Sequence, residues 1–418
     1  MTDQMIQRAT VLLQQRKFKE AEVILGRLIT ENPHNIDVMA LYAESLLQQD
    51  KYDKAMEVVN NAIGLFPDVP HFFYQRARLR IYENRQYDEA EKDLQQAITL
   101  NPQEADYFAL YALIKIDRKQ FQQALELAET GLEADPENIQ ALNARSTALL
   151  KLGRTAESFN SIDGAFRHDP HNAYTHANHG WGLLEKGSAR EALQHFTEAL
   201  RIDPNMELAQ AGMAEALKAR YFIYRIFMKF YFWMGNLTAK YQWGVIIGLY
   251  LISKILQGVA RTYPSTEPYV LPVIILLVAF AFSTWIISPL SNLFLRLNKY
   301  GRHLLDRNEA LSSNFVGISL LLAAAGGVGA LVTGNAGWVL LLFYGLTMMM
   351  PLGAMFSPRR KRQVLVIYTA ALAAAGAVAI ALAFSGGSPW NIFSIVYAGG
   401  LLLFQWVANA IMIKQNNR

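Results

Sequence analysis

Small residues recur at one interval along the first half of the chain. Ala21, Ala55, Ala90, Ala124, Ser158 and Ala192 form one series. Ala9, Ala43, Ala77, Ala112, Ser146 and Gly180 form a second, in phase with the first. Prolines keep the same beat at Pro33, Pro67, Pro102, Pro136, Pro170 and Pro204, with spacings of 34, 35, 34, 34 and 34 residues. A fixed period of this size marks a stacked helical repeat. Each unit reads as two short helices and a turn. In the sixth, 176–186 is the first helix (A), Gly187-Ser188 the turn and 190–202 the second helix (B), ended by Asp203-Pro204. Proline stops a helix because it lacks an N–H and restricts the residue before it. Small residues let two helix backbones approach, so Gly180 is expected where Ala192 and Ala199 cross it.

Beyond Arg220 the pattern changes to long unbroken apolar runs. A membrane span needs roughly 20 apolar residues. Six are predicted, at about 242–260, 269–290, 315–333, 337–356, 364–384 and 390–413. Only Lys254 is charged inside one; it is either functional or snorkels outward past Gln257. Small residues crowd 323–330 and 370–383, which favours close helix packing. Pro351 is expected to kink the fourth span near its inner end.

The repeat motif G-x₈-[YF]-x₂-A-x₆-A-x₄-P, with its aromatics Phe18, Tyr52, Tyr87 and Phe121, resembles the tetratricopeptide repeat. The resemblance covers about residues 2–206 in six consecutive units, with 207–219 as a closing helix. The family's tryptophan near the start of helix A is replaced by Met5, Met39, Phe73, Phe108, Leu142 and His176. Repeat five has Thr155 and Ser158 in place of the aromatic and alanine, which predicts looser packing. The extra residue of the 35-residue spacing lies between Ala77 and Tyr87. The resemblance implies a right-handed superhelical solenoid that binds a protein or peptide in a concave groove lined by A helices. By family register the groove includes Tyr74, Arg78, Tyr82, Asn143, Thr147, Tyr174, Asn178 and Trp181. Aromatic and arginine residues carry most interface energy, so Tyr74, Arg78 and Trp181 are the strongest candidates.

Charge divides the chain at the same place. Residues 1–216 hold 22 Lys/Arg and 32 Asp/Glu, while 217–418 hold 17 and 3. The overall basic balance therefore describes neither half and does not point to nucleic acid. Basic clusters flank alternate loops, at Arg296–Arg307 and 359–362, with further basic residues before the first span and in the tail. The positive-inside rule then places both termini in the cytoplasm. No signal peptide is visible at the start, and the plasma (inner) membrane of a bacterium is the simplest setting. Cysteine is absent, which excludes disulfides and thiol chemistry.

Residues 220–240 join the halves. Lys218, Arg225 and Lys229 align within about 40° on a continuous helix. Aromatics including Trp233 surround them, a composition suited to the headgroup layer. An interfacial helix is predicted; a helix packed on the repeats is the alternative.

Catalytic motifs are not found. Gly326-Gly-Val-Gly329 sits in an apolar span rather than after a strand, and H-E-x-x-H is missing. His303, with Asp306 three residues on, is too little for an acyltransferase. His168, His171, His176, His179 and His195 are read as structural rather than metal-ligating. The expected protein is all-α: six repeats (1–206), closing helix (207–219), interfacial helix and linker (220–240) and a six-helix membrane bundle (241–418). It is expected to act as a membrane-anchored scaffold, not an enzyme, without cofactor or metal, and in possible association with other membrane proteins. Alternatives are an accessory part of a transporter or export system, where Lys254, Asn391, Gln405 and Asn409 would matter, and a lipid-handling enzyme.

Overall fold

The computed structural model describes residues 2–296, 305–356, 362–386 and 388–416. Every regular element among them is helical. In chain order the helices are Thr2–Gln14 (α1), Phe18–Glu31 (α2), Ile36–Leu47 (α3), Tyr52–Leu65 (α4), Pro70–Asn84 (α5), Tyr87–Leu100 (α6), Ala105–Asp117 (α7), Phe121–Ala134 (α8), Ile139–Lys151 (α9) and Thr155–His168 (α10). Then come Ala173–Lys186 (α11), Ala189–Ile202 (α12), Glu207–Lys218 (α13), Phe222–Gly235 (α14), Ala239–Thr262 (α15), Glu267–Arg296 (α16), Arg307–Thr333 (α17), Ala336–Ala354 (α18), Arg362–Phe384 (α19) and Ile392–Asn416 (α20). The chain divides into two compact units, Met1–Thr175 and His176–Arg418.

In the first unit α1 to α10 form five A–B pairs, each helix packed on the next. The alanines at 9, 21, 55, 77, 90, 112 and 124 are fully buried, as their role at close helix crossings requires. Every B helix stops at a residue that leaves the helical region just before the periodic proline: Asn32, Phe66, Asn101, Asp135 and Asp169. The A-to-B turns share a left-handed residue, Arg16, Asp50, Arg85, Lys119 or Gly153. Four of these five are not glycine, so composition gave no sign of them. The extra residue of repeat three is absorbed at the end of α5. There the Gln86 amide bonds back to Arg80, six residues away, where its counterparts Lys51 and Gln120 reach back five.

Side chains also tie neighbouring repeats. Glu22 accepts from Gln49 and Lys51 (2.9 and 2.5 Å), and the Tyr87 hydroxyl donates to Asp117 (2.7 Å). Within the third repeat, buried Asp93 of α6 is gripped by both Arg76 and Arg80 of α5, each at 2.7 Å. Such contacts between neighbours stabilise a repeat array.

The second unit holds most of α11, then α12 to α20. Its turn residue Gly187 and the helix end at Asp203 repeat the geometry of the first unit. The residue that Gly180 admits differs from expectation. A Cβ there would lie 2.7 Å from the Phe196 ring, and one at Gly212 would lie 2.2 Å from it. The glycines therefore make room for a buried aromatic ring, not only for a close approach of backbones.

Among the described residues six helices, α15 to α20 in their apolar parts, are long and apolar enough to cross a membrane. The small residues of α17 and α18 bring their backbones together. A Cβ on Gly326 would fall 2.3 Å from the Leu342 amide nitrogen, and one on Gly345 would fall 2.4 Å from that of Ala323. Ser312 and Ser319 donate across the same interface to the carbonyls of Gly353 and Gly345 (3.0 and 2.8 Å). Close packing and interhelical hydrogen bonds substitute for the hydrophobic drive that lipid does not supply.

Candidate functional site

Tyr74, Arg78 and Tyr82 stand at i, i+4 and i+8 on α5 and share one helix face. Tyr74 is 7% exposed, and its ring leans on Tyr107 of α7 at 5.2 Å. Arg78 lies over the Tyr74 ring (5.7 Å) and clamps Glu44 of α3 with two bonds, 2.6 and 3.2 Å. Burial raises the Glu44 pKa, but the Arg78 charge and hydrogen bonds outweigh it and hold the carboxyl below its usual range. Tyr82, at 60% exposed, is the open member of the three.

Asn143 is buried on α9. Its amide donates to the Ile139 carbonyl (2.9 Å) and the Thr175 hydroxyl (2.8 Å). Thr147 turns its hydroxyl back to the Asn143 carbonyl at 3.0 Å. Asn143 thus ties α9 to the start of α11, while the Thr147 bond stays within α9. Tyr174 is different. It is 38% exposed, yet burial, then Tyr82 and Asp117, push its phenol up to about 12.

In the second unit Asn178 is half-buried on α11. Trp181 is packed more than the sequence suggested. Its indole N–H donates to the Leu208 carbonyl of α13 at 3.1 Å, and its ring meets Phe196 and Phe232 edge to face at 5.9 and 6.3 Å. His176 and His195 touch through their Nδ1 atoms (3.0 Å), and His179 packs on His195. Burial, with His195, His176 and Lys186, lowers His179 to about 4. No group of three or more candidate ligands is placed to hold a metal among the described residues.

The basic stripe is interrupted. One helix ends at Lys218 and the next begins at Phe222, so the continuous helix assumed for the alignment is broken. Lys218 is 1% exposed, bonded to Glu215 at 2.8 Å beneath Tyr224. Arg225 and Lys229 are exposed on α14, with Phe222, Tyr231 and Trp233 at 68%, 68% and 50%. The surface signal therefore belongs to α14 alone.

Among polar groups near the spans, Asn391 caps α20 by accepting from the Ser394 amide (3.0 Å). Gln405 and Asn409 are half-buried on α20. Asp306 caps α17 in a reciprocal pair with Glu309. His303 and most of both basic loops lie outside the described residues.

Tetratricopeptide-repeat family models match residues 12–79, and 74–139 with 112–173. The DnaJ homolog subfamily C member 7 homolog of Dictyostelium discoideum is 22% identical over 219 residues. That match takes in 51% of this chain but only 36% of the relative. Among solved structures, a tetratricopeptide repeat protein from Parabacteroides merdae superposes with a TM-score of 0.45 at 17% identity, covering 52% of this chain and 84% of that one. YrrB, described as having an unusual peptide-binding site, gives 0.31 at 19% identity, covering 45% and 96%. Residues 12–173 of the chain are tetratricopeptide repeats.

Proposed function

We propose that the chain is a membrane-anchored scaffold whose repeats recruit a protein or extended peptide. Tetratricopeptide repeats act as protein-interaction scaffolds, and the apolar C-terminal helices suit anchoring. The observation that carries the reading is the pair Tyr82 and Tyr174. Both are accessible aromatic side chains on A helices, at 60% and 38% exposure. Accessible aromatics are common anchors of binding energy. Arg78 and Tyr74 support this surface: Arg78 is held by Glu44 and pre-positions the face rather than offering a free cation. Asn143 and Thr147 on α9, and Asn178 and Trp181 on α11, are buried or half-buried and are the weaker anchors in this reading.

The repeats, about 1–206 with α13 as closing helix, and both termini lie on the cytoplasmic side in this reading, because the Lys/Arg clusters fall in alternate loops. Arg225, Lys229 and Trp233 of α14 rest at the headgroup layer; Lys218 serves the closing helix instead. The test is competition. A soluble fragment of residues 1–219, added in excess to membranes, displaces the partner of the full-length protein. Failure of a folded fragment to displace any bound protein contradicts the scaffold role and favours a function within the bundle.

A further inference from the structure

Helix α15 is the least packed of the six spans beside α16: no residue of its apolar window is buried, against 39% in α18. Leu251, Ile252 and Ile255 are 52%, 48% and 65% exposed, and they spread over about 100° of the helix. Lipid would cover such a surface without further comment were it uniformly apolar. It is not. Lys254 stands on it, exposed, eight residues before the end of α15 at Thr262.

Eight residues correspond to about 12 Å of helix rise. Escape toward that end also runs against the direction in which helix side chains lean, which is toward the N-terminus. The Lys254 ammonium follows that lean: it sits 5.6 Å from the ring of Tyr250, one turn back into the span. Among the described residues, the other charged groups of the six spanning helices lie near helix ends. Acidic residues are scarce too. The second half of the sequence has only Glu267, Asp306 and Glu309, each at or before the first turn of a helix and none at the depth of Lys254. A second copy of this chain therefore has no carboxylate to offer it.

We propose that the exposed face of α15 docks a transmembrane helix of a different membrane protein, which presents a carboxylate to Lys254. An ionisable residue at this depth is retained where it pairs with an opposite charge. The geometry beside it suits a close neighbour: a Cβ built on Gly244, Gly248 or Gly258 meets nothing within 4 Å. With Leu251 and Ile255 these glycines fall within an arc of about 80° whose edge is some 40° from Lys254. Trp406 of α20 stacks on Trp243 at 6.0 Å and meets Tyr250 at 6.3 Å, so the bundle itself covers another part of the helix. The docking deepens the scaffold reading, since it gives the anchor a partner of its own, but it stands whether or not the repeats bind a peptide.

The test uses full-length protein, fluorescently labelled, in phosphatidylcholine vesicles. The probe is a polyleucine helix of about 22 residues with one Glu at its centre, and the control carries Gln there. The Glu helix should associate about tenfold more tightly than the Gln helix, the scale of one polar contact between membrane helices. Lys254→Met should erase that preference and Lys254→Arg should keep it. Gly248→Leu should weaken association of the Glu helix. Equal association of the two helices with the wild type, or a Glu preference that survives Lys254→Met, overturns the proposal. So does loss of the preference when phosphatidylglycerol is added, which assigns Lys254 to a lipid phosphate. Self-association of the labelled wild type that Gly248→Leu abolishes, with no Glu preference, also overturns it and gives the face to a second copy.

Discussion

Ser146 and Ser158 face each other across the two helices of the fifth repeat, hydroxyl to hydroxyl at 2.9 Å. Repeats one to four place two alanines at these positions. Both serines are buried, at 5% and 1% exposure, so each satisfies the polar atom that the other brings into the core. Replacing one alone leaves a buried hydroxyl with a weakened partner set, at about 1–3 kcal/mol. Replacing both restores the alanine pair. In a fragment of residues 1–219, Ser146→Ala and Ser158→Ala should each lower stability, and the double variant should regain most of the loss. Additive losses in a double-mutant cycle would show that the two hydroxyls are not coupled.

That pair shows where sequence reasoning stopped. The period made the helices legible, because a buried small residue and a terminating proline each leave a mark in a single position. Thr155 and Ser158 were expected to loosen repeat five. The compensation needs two residues twelve positions apart to be considered together. Phe196 is similar: its buried ring sits against Gly180 and Gly212, and only the first of these belongs to a periodic series. The stripe through Lys218 assumed an unbroken helix, and nothing in Ala219–Tyr221 resembles a strong breaker. Of the groove candidates, the aromatics on A helices could be named, but sequence could not show that Glu44 already holds Arg78 or that Leu208 already receives Trp181.

The left-handed turn residues supply a second prediction. Lys119 has φ 61°, which a side chain with a Cβ tolerates at a cost of about 1 kcal/mol. Its equivalent in the next repeat is Gly153, at φ 80°. Lys119→Gly should raise the thermal midpoint of the 1–219 fragment, and Gly153→Ala should lower it by a similar free energy. Opposite signs in a melting experiment would show that another term, such as the Lys119 side chain, dominates the turn.

Trp181 and Tyr82 should separate stability from binding. Trp181→Ala removes an indole–carbonyl bond and two aromatic contacts, so a loss of roughly 2–3 kcal/mol is expected. Tyr82→Ala removes an exposed ring and should change stability by about 0.5 kcal/mol or less. Chemical denaturation of both variants checks this. A stable Trp181→Ala variant would return that side chain to the list of open groove residues.

His179 makes the second unit acid-sensitive. Its folded pKa is lowered to about 4 from an ordinary value near 6.5, first by burial and then by His195, His176 and Lys186. The unfolded chain therefore binds the proton more readily than the folded one between those values. Stability is full above pH 6.5 and falls as the pH drops toward 4, at up to one proton's worth of slope. Across the window the loss is bounded at roughly 3 kcal/mol, reduced by the ring's partial exposure. Thermal melts of full-length protein in detergent should show this fall, and His179→Gln should flatten it. An unchanged slope in that variant would place the proton uptake on other groups.

The central claim is recruitment through the accessible aromatics of the repeats. The most direct measurement is quantitative co-isolation from membranes in mild detergent, comparing wild type with the Tyr82→Ala/Tyr174→Ala double variant at equal abundance and thermal midpoint. The account predicts a partner protein recovered in near-stoichiometric amount with the wild type and reduced at least about tenfold with the variant, the loss expected from two anchor residues. Equal recovery from both, or retention of the same partner by residues 220–418 alone, would contradict it.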